Sequence, residues 1–218
     1  MSGTNAYEIR SLIHYYDQKI ALEIPHFDIP EGIIWGLAGP NGSGKTTLPS
    51  ILALLLKHSS GNLYMHGAKV IPDNNRRLRR NVTLIHQKPV LFSGIVRSNI
   101  SYGLRASGFS SKETAARVEA IIDEVQIASV ADRQVRTLSG GEAQRVVLAR
   151  GLVLQTPIIL LDEPTHSLDD AFLPILLELL RKANKRRGTT IVLATHDVSF
   201  ISTIADRIIQ MKDGKLLF

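Results

Sequence analysis

Between residues 7 and 30 apolar positions alternate with polar ones and run into Pro30-Glu31-Gly32, so this stretch reads as short strands in an antiparallel hairpin. A short apolar run, Ile33-Ile34-Trp35-Gly36-Leu37-Ala38, ends at Gly39, and helix-like composition begins at Thr46. The order is strand, glycine loop, helix. Val82-Thr83-Leu84-Ile85 reads as a further strand, while Ala115, Val118, Ile121, Ile122 and Val125 recur at helical spacing over residues 112–125, making the middle third mostly helical. Ile158-Ile159-Leu160-Leu161 and Thr190-Ile191-Val192-Leu193-Ala194 are continuously apolar, as strands buried on both sheet faces are. Between them Leu173–Arg187 reads as a helix that ends in basic residues and Gly188. A strand, a helix and a strand at this spacing demand a parallel crossover.

Composition narrows the class. The chain has 218 residues, 44% of them hydrophobic and 21% charged, which supports one large core or two small ones and excludes a disordered or fibrous chain. It has no cysteine, so disulfides and thiolate metal centres play no part. Nothing in residues 1–10 resembles a secretion signal, and the longest uninterrupted apolar stretch, residues 51–56, is far shorter than the roughly 18 residues a membrane span needs. A protein that acts inside the cell, and at a membrane only from its side, is expected. The net charge of +6 suits either nucleic acid or an anionic membrane surface.

Three motifs carry the chemistry. Gly39-Pro40-Asn41-Gly42-Ser43-Gly44-Lys45-Thr46 fits G-x-x-x-x-G-K-[ST] between a buried strand and a helix. Its glycines let successive N–H groups turn inward around an anion, Lys45 reaches the β- and γ-phosphates, and Thr46 holds Mg²⁺. Leu160-Leu161-Asp162-Glu163 places two carboxylates at the end of a strand where parallel sheets bind ligands. Asp162 suits Mg²⁺, and Glu163 suits the general base that takes a proton from water. In Leu138-Ser139-Gly140-Gly141-Glu142-Ala143-Gln144-Arg145, Ser139 reads as a helix N-cap. Two glycines inside a helix would cost about 1 kcal/mol each, so the pair reads instead as a second anion site of backbone N–H groups.

With these motifs in this order, the chain resembles the ATP-binding cassette (ABC) ATPases over nearly its whole length. The implied fold is an α/β P-loop NTPase with an N-terminal antiparallel β subdomain and an inserted helical subdomain, as a single ABC ATPase domain over 1–218. Its core would be 1–87 and 156–218, with the helical part at about 88–155. By that resemblance Gln87 is the glutamine that contacts Mg²⁺ beside Thr46 and Asp162, Thr47 joins the residues that bind ATP, Asp169 is the D-loop aspartate, and His196 is the switch histidine at the γ-phosphate. Tyr16 is similar in placement to the aromatic residue that stacks on adenine, with Tyr15 as a near rival. Leu138, Ser139, Gly140, Gly141 and Glu142 look like the signature that contacts the ATP of a second subunit. The resemblance therefore implies ATP and Mg²⁺ as cofactors and a homodimer that sandwiches ATP.

Lys88-Pro89-Val90-Leu91-Phe92 resembles the groove that receives a helix of a membrane subunit, and residues 96–105 are similar to importer cassettes for oxyanions such as tungstate, molybdate or phosphate. The expected role is an ATPase subunit, peripheral on the inner face of the membrane. Its expected partners are an integral membrane permease and an extracytoplasmic substrate-binding protein, with no nucleic acid. The alternative is a soluble ABC ATPase acting on nucleic acid or ribosomes, to which the basic clusters at residues 76–80 and 181–187 point. The chain departs from the family pattern at Pro49, on the border of the first helical turn, where the missing N–H is harmless within that turn and kinks the helix beyond it, with the phosphate site expected to survive, and mildly at His166-Ser167 before Leu168-Asp169.

Overall fold

A computed structural model describes residues 4–71 and 75–217. In chain order the first elements are β1 (Asn5–Tyr16), β2 (Lys19–Pro30), β3 (Ile34–Ala38), α1 (Thr47–Leu52), β4 (Ser60–Met65), β5 (Ala68–Lys69), α2 (Arg76–Arg79) and β6 (Val82–Ile85). There follow α3 (Val96–Ala106), α4 (Ser111–Glu124), α5 (Gly140–Leu152), β7 (Ile158–Asp162), α6 (Leu173–Arg187), β8 (Thr190–Thr195), α7 (Val198–Ser202), β9 (Arg207–Lys212) and β10 (Lys215–Leu217). The chain divides into two compact units, one of Met1–Leu84, Thr156–Pro164 and Ala183–Phe218, the other of Ile85–Gln155 and Thr165–Lys182. The second unit thus takes in residues 165–182, which the sequence reading kept with the core.

The first unit contains two sheets. One has the order β2-β1-β4-β5 and is antiparallel, the other the order β10-β9-β3-β8-β7-β6. In the second sheet β3 pairs in parallel with both β8 and β9, and β7 in parallel with β8. The middle strands β3, β7 and β8 are buried at every position, which explains their unbroken apolar runs. One apolar core joins the two sheets, with Ile9, Leu12 and Leu22 from the antiparallel sheet, Leu37, Leu160 and Val192 from the parallel one, and Leu48 and Ile51 from α1. Phe27 and Trp35 meet edge to face at 5.1 Å, and the buried Tyr7 hydroxyl donates to Leu52 O at 2.8 Å, tying β1 to α1.

Pro49 is the third residue of α1. Leu48 N–H donates to Gly44 O at 3.0 Å and Ser50 N–H to Thr46 O at 3.3 Å, so bonds continue on either side of the missing donor. Pro49 thus falls within the first turn, where its missing donor is harmless, and the helix stops at Leu52, followed by Leu54 at φ 58°.

In the second unit α3, α4 and α5 pack through Val96, Ile100 and Leu104, through Val118, Ile121 and Ile122, and through Val146, Leu148 and Leu152. Asn99 is almost fully buried. Its amide donates to Phe92 O and Ile95 O and accepts from Phe92 N–H, which fastens the segment before α3 to the helix. Capping boxes open both α4 and α5.

Candidate active site

The loop after β3 has the form its glycines predict. Gly42 and Gly44 sit at φ 78° and 102°, conformations that a side chain opposes, and a Cβ on Gly44 would lie 2.7 Å from Leu22 and 3.1 Å from Ala21 O. Ser43 N–H donates to Pro40 O at 3.2 Å, and Gly214 N–H holds Ser43 O at 3.0 Å. The Ser43 hydroxyl is buried and has no hydrogen-bond partner among the described residues, an orphaned polar atom inside a cradle suited to an anion. Lys45 lies back across the loop, its ammonium donating to Gly39 O at 2.7 Å and Pro40 O at 2.9 Å. Asn41, Thr46 and Thr47 complete the segment, with Thr47 buried as the first residue of α1.

The end of β7 supplies the two carboxylates. Thr46 Oγ1 donates to Asp162 Oδ1 at 3.2 Å, and these two oxygens, one from a threonine hydroxyl and one from a nearly buried aspartate, are hard donors that fit Mg²⁺. Glu163 follows in a left-handed conformation, φ 47°. It precedes Pro164, whose ring disfavours the right-handed helical region for its neighbour. Its amide donates to Ala194 O at 2.7 Å, which anchors the turn to β8.

Several groups converge on the Glu163 carboxylate, which is 6% exposed. His196 N–H donates to Oε1 at 3.1 Å, and its ring Nδ1 lies 2.9 Å from Oε2. The Thr195 hydroxyl donates to Oε2 at 2.7 Å, and the Lys45 ammonium stands 3.9 Å from Oε1. Motif reading marked Lys45, Glu163 and His196 but passed over Thr195, which looks like one more β-branched residue of a buried strand. Tyr16 and Tyr15 both lie exposed at the end of β1, Tyr16 edge to face with His14 at 4.8 Å.

The remaining predicted residues lie in the second unit. Gln87 is half-buried beyond β6. Leu138 precedes the N-cap Ser139, and Gly140 and Gly141 are the first two residues of α5, whose amides have no partner within the helix. Ser139 Oγ accepts from Glu142 N–H, while Ser139 N–H donates to Glu142 Oε2 at 2.7 Å and Arg133 donates to Oε1 at 3.3 Å. The Ser139 N–H and then its hydroxyl hold the Glu142 carboxyl below the usual glutamate range. Asp169 accepts from Phe172 N–H at 2.9 Å and from Arg145, whose guanidinium stacks over the Phe172 ring at 4.4 Å. The same unit exposes Val90, Phe92 and Tyr102. The two rings lie 4.7 Å apart, and Arg150 covers Phe92 while donating to Val90 O at 2.8 Å.

A phosphate loop, two carboxylates at a parallel strand end and a histidine just past the neighbouring strand define a P-loop ATPase site on an α/β fold. Comparison with known proteins agrees: the ABC transporter family model matches residues 22–166, and the chain belongs to that family. An AAA-domain model also matches residues 132–202. The Fe(3+) ions import ATP-binding protein FbpC of Pasteurella multocida is 31% identical over 218 residues, covering 100% of this chain and 62% of that protein. The methionine import ATP-binding protein MetN of Corynebacterium jeikeium is 35% identical over 201 residues, 90% of this chain and 55% of MetN. The chain thus spans less than two thirds of these relatives.

Among solved structures, the dimeric cassette MJ0796, bound to ADP and Pi in a post-hydrolysis state, matches with TM-score 0.90 at 29% identity, covering 97% of each chain. CbiO1 of Clostridium perfringens, part of the ABC transporter complex cbiONQ, matches with TM-score 0.86 at 28% identity, covering 99% of this chain and 88% of that one. The fold is that of an ABC ATPase, an enzyme that hydrolyses ATP. The names of these two relatives concern iron and methionine import, so the likeness is to ABC transporter ATP-binding proteins and is not specific to oxyanion cassettes.

Proposed function

We propose that this chain is the nucleotide-binding subunit of an ABC importer and that hydrolysis of ATP by two copies drives a separate membrane permease. The observation that carries this reading is the Glu163 carboxylate, held by His196 within reach of Lys45 at the phosphate loop. The amides of residues 39–47 and Lys45 bind the triphosphate, and Tyr16 stacks on adenine. Glu163 takes the proton of the attacking water, and His196, bonded to that carboxylate, would contact the γ-phosphate. Thr46, Asp162 and Gln87 would hold Mg²⁺, which supplies neutralising charge to the phosphate oxygens.

The amides of Gly140 and Gly141 are not used within their helix, and together with Leu138, Ser139 and Glu142 they suit the phosphates of the partner's ATP. Asp169, braced by Arg145, stands in the same unit. Closure of two copies around ATP is then favoured while the γ-phosphate is attached and lost once it leaves. The exposed Val90, Phe92 and Tyr102 suit an apolar helix of the permease, which supports a position for the subunit at the cytoplasmic face of the membrane. Import is supported by the relatives FbpC and MetN, and an extracytoplasmic substrate-binding protein belongs with an importer of that kind.

Phosphate release from ATP and Mg²⁺ by the purified chain, followed by co-purification with a membrane protein from the same cell, tests the proposal. Turnover together with capture of a permease is expected. Turnover without any membrane partner, joined to tight RNA or DNA binding with a steep salt slope, would contradict the transport role.

A further inference from the structure

From the hydrogen bonds at the end of β8 we infer that Thr195 is the positioning residue of the general base, an inference that rests on the reading of Glu163 as that base. Asp162 and Ala194 are paired across the parallel strands β7 and β8, so Glu163 and Thr195 leave the sheet side by side. Thr195 is fully buried, and its hydroxyl has two neighbours. The Asp197 N–H donates to Oγ1 at 3.0 Å, and Oγ1 lies 2.7 Å from Glu163 Oε2. An amide has only a proton to give, so that contact uses a lone pair of Oγ1. The single hydroxyl proton is left for the carboxylate. The direction of the bond is therefore set by the backbone at the N-cap of α7, where the Asp197 side chain caps Phe200 N–H at 2.9 Å.

The His196 backbone N–H holds Oε1 at 3.1 Å, and the other side-chain contacts to Glu163 are less constrained than that of Thr195. The His196 side chain is 65% exposed, and the role of its Nδ1 depends on the tautomer. Lys45 is farther away and shares its ammonium with Gly39 and Pro40. A β-branched side chain on a buried strand, by contrast, has few rotamers open to it. Thr195 thus fixes one carboxylate oxygen of a residue whose own backbone is in an unfavourable region, φ 47°, and so fixes where the other oxygen meets water. Among the described residues the Thr195 hydroxyl bonds Glu163 and Asp197 N–H and not the phosphate loop, so it should act on the chemical step and not on nucleotide affinity.

ATP hydrolysis by Thr195→Val, Thr195→Ala and Thr195→Ser, with KM, nucleotide affinity and melting temperature measured on each, tests this. The variants without a hydroxyl should lose about 10-fold or more in kcat, with KM and affinity within about 2-fold of the wild type. Val keeps the shape and Ala avoids crowding, so whichever keeps the native melting temperature gives the answer. Thr195→Ser should restore most of the rate. In a Glu163→Gln background, Thr195→Val should cause no further loss. Unchanged kcat in the folded hydroxyl-free variant, or Ser as slow as Val, would overturn the role of Thr195. If Glu163→Gln stops turnover while Thr195→Val does not, Thr195 alone is at fault; if Glu163→Gln turns over normally, the reading of Glu163 fails first.

Discussion

His196 meets Glu163 twice, through its backbone N–H at 3.1 Å and its ring Nδ1 at 2.9 Å, so the histidine at the end of β8 is locked to the acid at the end of β7. The link runs across the paired parallel strands of one sheet and, with Thr195, positions a carboxylate beside a phosphate loop. This geometry makes Glu163 the acid on which turnover should depend.

Glu163→Gln keeps the size of the side chain and removes the base. Turnover should fall by roughly 10²-fold or more while ATP still binds, as read by phosphate release and calorimetry. Unchanged turnover would remove Glu163 from the mechanism.

Lys45 is buried, and its ammonium donates to Gly39 O and Pro40 O at the loop. Lys45→Ala should abolish nucleotide binding in a titration that gives clear heats with the wild type. Normal affinity would contradict the phosphate role.

Space around Gly140 is open within its own chain, since a Cβ there meets nothing within 4 Å. Gly140→Asp should therefore fold normally, with an unchanged melting temperature, yet fail to dimerise with ATP. A stable ATP-dependent dimer of this variant would defeat the role of the signature in trans.

The Glu142 carboxyl lies below its ordinary value of 4.5 because Ser139 bonds its ionised form. A depressed folded value means that the unfolded chain binds more protons in this range, so the stabilisation is full above pH 4.5 and is lost as the pH falls below it through the folded value. Wild type should melt above Glu142→Gln at neutral pH, and the gap should close on acidification. A gap that persists unchanged to pH about 2 would contradict the assignment.

Tyr7 tests the joint between the sheets and α1. Its hydroxyl is buried and donates to Leu52 O, so Tyr7→Phe should cost about 1–2 kcal/mol of unfolding free energy in denaturant melts by leaving that carbonyl without a partner.

Much of this was legible in the residues. The phosphate loop could be placed because a glycine motif and a continuous apolar strand adjoin, and β7, α6 and β8 because burial on both faces leaves an unbroken apolar run. The reading of residues 7–30 as short strands fell short: β1 and β2 each have 12 residues, sustained by pairing of β1 with both β2 and the distant β4. Such pairing has no local signature. The α1 helix starts at Thr47 because the loop before it bends through left-handed glycines, which composition alone does not show. β9 and β10 alternate too briefly to stand out, and Thr195 is visible only once two strands are aligned side by side.

The claim that binds these together is that ATP, gripped at Lys45, is shared between two copies of this chain. Light scattering on Glu163→Gln, eluted from a sizing column with ATP and Mg²⁺, measures this directly. The account predicts a species of twice 24.0 kDa that returns to 24.0 kDa when ATP is withdrawn. A species that stays at 24.0 kDa with saturating ATP bound would contradict it.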